Sequence, residues 1–230
     1  NADTYEDNIT LAGAQGSSGF KASNYAIEYL AGDLTIDPLA ITVTADDLTK
    51  TYGDADPSLT YGSDISLVTG DSFTGSLTRA SGEDVDTYAI LQNTLSIDDG
   101  NGGKNYDLTF VGGELNITKR LITLEADAVS KTYGDTDPTL SVSITSGSLG
   151  TVTVSDTLAD VTGTLSRQAG QDVGSYDVEL GSGDKASNYA LTFETDNNAF
   201  VIDPRAITLS AGNRTKTYGQ SLTLGTEAFK

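Results

Sequence analysis

The phrase Lys50-Thr51-Tyr52-Gly53-Asp54-Ala55-Asp56-Pro57 returns as Lys131-Thr132-Tyr133-Gly134-Asp135-Thr136-Asp137-Pro138, 81 positions on. It returns again as Lys216-Thr217-Tyr218-Gly219, 85 positions further. A repeat constrains a fold more than any single residue, because whatever one copy becomes, the others become beside it. Three more markers keep the same step. "LTRASGEDVDTYAI" (77–90) matches "LSRQAGQDVGSYDV" (165–178). "SNYAIEY" (23–29), "KNYDLTF" (104–110) and "SNYALTF" (187–193) form one set. "IDPLAITVTA" (36–45), "ITKRLITLEA" (117–126) and "IDPRAITLSA" (202–211) form another.

The register divides the chain into complete units at 39–118 and 119–203. Residues 1–38 read as the back half of a repeat, since Tyr5 aligns with Tyr88 and Tyr176, and residues 204–230 read as the front part of a further one. The chain is thus expected to be a segment of a longer array. Its two end pieces are nearly complementary. Arbitrary cut points are the plainer reading, and head-to-tail completion of a module between neighbouring chains is the sharper one. Units of about 80 residues exceed the solenoid range and can hold a small core each, so they read as beads in a row.

Local pattern points to strands. "LAITVTA", "RLITLEA", "TYAILQ", "YDLTF" and "YALTF" alternate apolar and polar residues, and turn clusters such as "GDADP", "SGED" and "DDGNGG" separate them. No stretch carries a helical stripe with caps. Of 33 acidic residues 25 are Asp, which favours turns over helices. The expected fold is all-β, with about seven strands per unit in small immunoglobulin-like sandwiches. A β-grasp-like sheet is the alternative. Only "TKRL" (118–121) and "DPRA" (203–206) separate the strand closing one unit from the strand opening the next, which predicts a stiff, extended rod with small interfaces.

Within the phrase, Tyr52, Tyr133 and Tyr218 bring a ring to bury, and Gly53, Gly134 and Gly219 can take a positive φ and reverse the chain. The acids can bond their own turn, with Pro57 and Pro138 presetting its shape. The rival reading is a calcium site built from Asp54 and Asp56, and from Asp135 and Asp137. It fits the hard-cation preference of carboxylates, but the third copy carries Gln220 and Ser221 in place of acids. "DDGNGG" (98–103) is a further calcium candidate, and no other cofactor is expected. "EDVDTY" and "QDVGSY" resemble the tyrosine corner of immunoglobulin-like sandwiches, in which the hydroxyl of Tyr88 or Tyr176 would tie back to the upstream backbone.

Composition narrows function. A net charge of −20 opposes contact with nucleic acid and anionic membranes. The chain has no Cys, His, Met or Trp, so it builds no disulfide, thiolate nucleophile, Cys/His zinc site or serine triad with histidine. No apolar run is long enough to span a bilayer, and no signal peptide opens the chain.

Taken together, "ITVTADDLTKTYGDADPSLTY", "GEDVDTYAI", "NYDLTF" and "GELNITKR" with their copies resemble the MBG repeats (YGX type) and related YDG repeats of large bacterial surface and secreted adhesins. The resemblance covers essentially the whole chain. It implies an extracellular or cell-surface protein in which such arrays lie between an anchoring end and a functional tip, with no catalytic residues to transfer. The expected function is a stiff spacer or fibre building block of an adhesin or biofilm matrix, with neighbouring repeats or like chains as partners. The alternative is a glycan-binding module, for which Phe73 and Tyr29 are the aromatic candidates; a host or matrix surface would otherwise be met by a part not present here. No enzyme is expected: no unit holds a polar constellation that its sibling lacks.

Overall fold

Strands form where the alternation is strongest, and the buried positions repeat. In "LAITVTA" the inward residues are Ile41, Val43 and Ala45, and in "RLITLEA" they are Ile122, Leu124 and Ala126. A computed structural model describes residues 1–223 apart from 14, 17 and 18. The protein is nearly all β, with 38% of it in strands and 5% in helices, gathered into several small sheets.

Strands β1 (Asp3–Ile9) and β2 (Gly32–Ile36) form an antiparallel pair ahead of the first full unit. That unit contains β3 (Leu39–Ala45), β4 (Leu48–Thr51), β5 (Tyr61–Ser63), β6 (Ser72–Thr74), β7 (Thr78–Arg79), β8 (Thr87–Leu91), β9 (Ser96–Asp98), β10 (Tyr106–Val111) and β11 (Gly113–Thr118). The second contains β12 (Arg120–Ala126), β13 (Val129–Thr132), β14 (Val142–Gly147), helix α1 (Leu158–Thr162), β15 (Ser166–Arg167), β16 (Gly174–Tyr176), β17 (Val178–Glu179), β18 (Tyr189–Phe193) and β19 (Phe200–Asp203). Nine and eight strands stand where about seven are expected, because two-residue strands such as β7, β15 and β17 leave no readable alternation. Helix α1 is too short to carry a helical stripe. It spans five residues and is held by a capping box, with Thr157 and Asp160 each bonding the other's backbone N–H.

Both units pair their opening and closing strands in the same way. The opening strand pairs in parallel with a late strand, β3 with β10 and β12 with β18. The next strand pairs in parallel with the last, β4 with β11 and β13 with β19. Chain neighbours β3 and β4 therefore sit in different sheets, as do β10 and β11. The two pairs cross the corner together, at Asp46-Asp47 and at Gly112. Gly113 is needed at this corner, since a side chain there would collide with the carbonyl oxygens of Ala45 and Asp46. Ala45 and Phe110 of the first sheet meet Ile90 and Leu115 of the second, which gives a sandwich-like core. A β-grasp arrangement needs a long helix laid across a sheet, and the longest helix among the described residues has five residues.

The front part of a third repeat, expected over 204–230, contains no strand in residues 204–223, and residues 224–230 lie outside the described ones. The reason is physical. Ile207 and Leu209 match Ile122 and Leu124 in the repeat, but no late strand among the described residues packs against them and they stay exposed.

Candidate functional site at the inter-repeat joint

Only Lys119 separates β11 from β12, so whatever follows β4 must lie close to the next unit. Tyr52 N–H donates to the carbonyl of Thr118 (2.8 Å), and Arg120 Nε donates to the carbonyl of Tyr52 (2.7 Å). Gly53, at φ 79°, then turns the chain. These contacts aim the Tyr52 ring out of its own repeat and into the next one. There it lies in a cluster with Ile117 of the first repeat and Ile122, Leu124, Val161 and Tyr189 of the second, with no exposed surface. Tyr52 and Tyr189 meet edge to face at 5.4 Å. Both hydroxyls donate to Asp156 Oδ2, at 2.9 and 2.8 Å. Burial and the hydrogen bond to the Asp156 carboxylate push the Tyr52 phenol well above its ordinary range.

Polar ties surround this knob. The carbonyl of Gly53 accepts from the N–H groups of Val152 (3.2 Å) and Thr153 (3.4 Å). Val85 N–H donates to Asn188 Oδ1 (2.9 Å), and Asn188 Nδ2 donates to Asp84 Oδ1 (2.8 Å). The Asn188 bond, aided by Lys185, holds the Asp84 carboxyl below the usual carboxylate range. Arg120 also pairs with Asp54, closing the turn against the joint.

The acids weighed as calcium ligands are thus engaged with cations. Asp54 faces Arg120, and Asp135 faces Arg205. Asp56 accepts from buried Lys50 and from Arg79, both at 2.6 Å. Glu83 completes the knot with the same two cations. Asp137 accepts from Lys131 (2.6 Å) and Arg167 (2.7 Å), and Gln171 stands where Glu83 stands in the first repeat. The physical reason is that Lys50 and Lys131 are buried by the strand pattern, and a buried ammonium needs a compensating charge. Burial opposes the Lys50 charge, but Asp56 and Glu83 outweigh it and raise its pKa. The Arg167 and Lys131 contacts pull Asp137 down to about 2. In "DDGNGG" the Asp99 carboxylate accepts from the backbone N–H groups of Asn101, Gly103 and Asn105. Among the described residues, no three acids gather around one point.

The rest of the repeated motif divides by position. Tyr88 and Tyr176 donate to the carbonyls of Asp84 (2.9 Å) and Asp172 (2.8 Å), and Tyr5 does the same to Asn1 (3.1 Å). Gly134 and Gly219 share the positive φ of Gly53. Pro57 and Pro138 follow the paired acids in irregular segments outside the strands, past the turns at Tyr52-Gly53 and Tyr133-Gly134. The Tyr rings of the phrase differ. All three are expected to be buried, yet Tyr133 is 47% exposed and Tyr218 fully so, because no folded repeat among the described residues covers them. Phe73, a candidate glycan platform, is half-buried against Tyr61 and the Ile41–Ile97 cluster. Tyr29 lies at the surface.

Asp156, Asn188 and Arg120 are joint residues that the repeat pattern does not single out. Asn188 and Arg120 had a usable signal, since Asn105 precedes Tyr106 as Asn188 precedes Tyr189, and Arg205 follows Pro204 as Arg120 follows Lys119. Asp156 had none, because its segment does not align with the one around Asp71.

The joint carries an expected pH dependence. The folded pKa of Tyr52 lies above its unfolded value, so the neutral phenol's contribution is complete below about pH 10 and drains as the pH rises past it. Each further pH unit removes up to about 1.4 kcal/mol. Thermal melts from pH 8 to pH 11.5 should show this loss, and Tyr52→Phe should flatten it by one proton's worth. Equal slopes in the two proteins would mean that the Tyr52 hydroxyl is not the group responsible.

Residues 41–116 and 122–200 match the MBG domain family (YGX type), each match falling inside one of the two complete units. Neither a curated protein nor a solved structure matches the chain.

Proposed function

Because the chain belongs to the MBG domain (YGX type) family, we propose that it is a structural segment of an extracellular bacterial adhesin or matrix fibre, in which it serves as a stiff spacer or building block. The observation that carries this reading is the Tyr52 knob, which puts a residue of one repeat into the hydrophobic core of the next. A flexible tether needs no such joint. A spacer does, because bending at a shared core would have to open the Asp156 bonds and expose Tyr52, Ile117 and Ile122 together. The strongly acidic surface favours solubility and keeps rods apart. The partners are neighbouring repeats or like chains. Surface or extracellular placement is part of the proposal; no helix of the described residues is long and apolar enough to cross a membrane. No catalytic role is proposed.

Small-angle X-ray scattering of the full chain tests the reading. The two complete repeats should scatter as one elongated body with a fixed angle between them, and Tyr52→Ala should broaden that into a range of bends. Wild-type scattering that already requires many bend angles would rule out a stiff spacer.

A further inference from the structure

The two complete units differ in the connection between their matched tyrosines. Tyr88 and Tyr106 lie 18 positions apart, and their counterparts Tyr176 and Tyr189 lie 13 apart. In the first unit this stretch forms β9 and buries Leu95. In the second, residues 180–188 form no strand. Beside this shorter connection, a cavity of about 520 Å³ opens between β17 and β18. That volume lies within the range of small-molecule sites, about 300–1,000 Å³. Val178, Leu180, Leu191 and Phe193 supply its apolar lining.

Gln168, Asp177 and Glu179 line the same cavity. Strand register fixes what these three replace. Arg167 faces Val178 as Arg79 faces Ile90. Gln168 N–H donates to the Asp177 carbonyl as Ala80 N–H donates to that of Ala89, both at 2.9 Å. The three polar residues therefore stand where the first unit has Ala80, Ala89 and Leu91. Against the expectation from the repeat, the second unit carries a polar set that its sibling lacks.

The surrounding backbone is held in place. Asn197 Oδ1 accepts from Val178 N–H and Asn197 Nδ2 donates to the Val178 carbonyl, both at 2.9 Å. Asp177 Oδ1 accepts from Asn198 N–H (2.8 Å). Among the described residues no lysine or arginine pairs with Asp177 or Glu179, whereas Asp56 and Asp137 are each held by two cations. The lining selects a ligand chemistry. Ionised carboxylates only accept hydrogen bonds, so an occupant must bring donors. The apolar residues and the Phe193 ring favour carbon surface. Two acids in a chain of net charge −20 repel an anion. An uncharged sugar meets all three conditions, with O–H donors at its rim and C–H groups on its faces.

We propose that the cavity between β17 and β18 binds an uncharged saccharide, whose hydroxyls donate to Asp177 and Glu179 while its carbon face meets Phe193. The second unit is then a binding module as well as a link in the rod, and the first unit, with alanine and leucine at the matching places, is a link alone. This goes beyond the spacer reading and does not depend on it. Scattering reads stiffness and titration reads binding, so either can fail alone.

Titration of the full chain with maltose, cellobiose and diacetylchitobiose, followed by amide chemical shifts, tests the proposal. At least one of these uncharged disaccharides should bind at millimolar concentration and shift amides of residues 177–180 and 191–195. Sialyllactose, which carries a carboxylate, should bind more weakly. Glu179→Leu should weaken binding roughly tenfold or more, as for a lost hydrogen bond to a charged group. Glu179 is exposed, so this variant keeps the fold. Adding Gln168→Ala and Asp177→Ala installs the first unit's residues and should abolish binding, with a thermal melt reporting the fold independently. The proposal is overturned if none of the three uncharged disaccharides binds, if the shifts fall elsewhere, or if Glu179→Leu binds like the wild type. Tighter binding of trilysine than of any of these disaccharides would assign the cavity to cations and overturn it too.

Discussion

Tyr52→Ala is expected to destabilise the second repeat by about 3–5 kcal/mol, the usual range for deleting a large buried aromatic. The same change at Tyr133 should stay within roughly 0.5 kcal/mol, as for a surface position. The two residues occupy the same place in the same phrase, and both have their backbone fixed by an arginine, Arg120 or Arg205. They differ in what covers the ring. Tyr52 has no exposed surface and reaches Asp156, while Tyr133 is nearly half exposed. Removing Tyr52 also leaves Ile117, Ile122 and Val161 around a void at the joint. Urea unfolding followed by circular dichroism should therefore show a large midpoint shift for one variant and little for the other. Equal shifts would mean that Tyr52 stabilises its own repeat and not the junction.

Gly53→Ala should be the second severe change, at about 2–5 kcal/mol. A left-handed conformation costs an L-residue roughly 1–2 kcal/mol, and overpacking adds about 1–3 kcal/mol. Gly53 sits at φ 79°, and a Cβ there would stand 2.4 Å from Gly150 Cα across the joint. Backbone meets backbone at that point, so no side chain can swing aside. Gly134 has φ 87°, but its nearest neighbour is the flexible Arg205 side chain at 3.6 Å. Gly134→Ala should therefore show the conformational cost alone. The difference between the two variants isolates the close approach of the repeats, and its absence would show that Gly53 and Gly150 do not pack in solution.

Several features could be read from residues in order. The period, the β class, the inward faces of "LAITVTA" and "RLITLEA", and the short link between β11 and β12 all follow from local alternation and spacing. Helix α1 and the two-residue strands could not, since a single turn or a pair of residues has no period. The ion-pair partners of the turn acids are illegible for a different reason. Asp54 and Asp56 look like neighbours with a common purpose, but their arginine partners, Arg120 and Arg79, come from distant parts of the sequence.

Repetition along the chain dictates what each copy resembles, because equal sequences carry equal local preferences and equal core patterns. It says nothing about which equal residues end in equal surroundings. Tyr52, Tyr133 and Tyr218 are the same letter in the same phrase, and one is buried, one half open and one bare. That difference arises from whether a following repeat is folded there to enclose the ring, and burial depends on contacts that no single repeat contains.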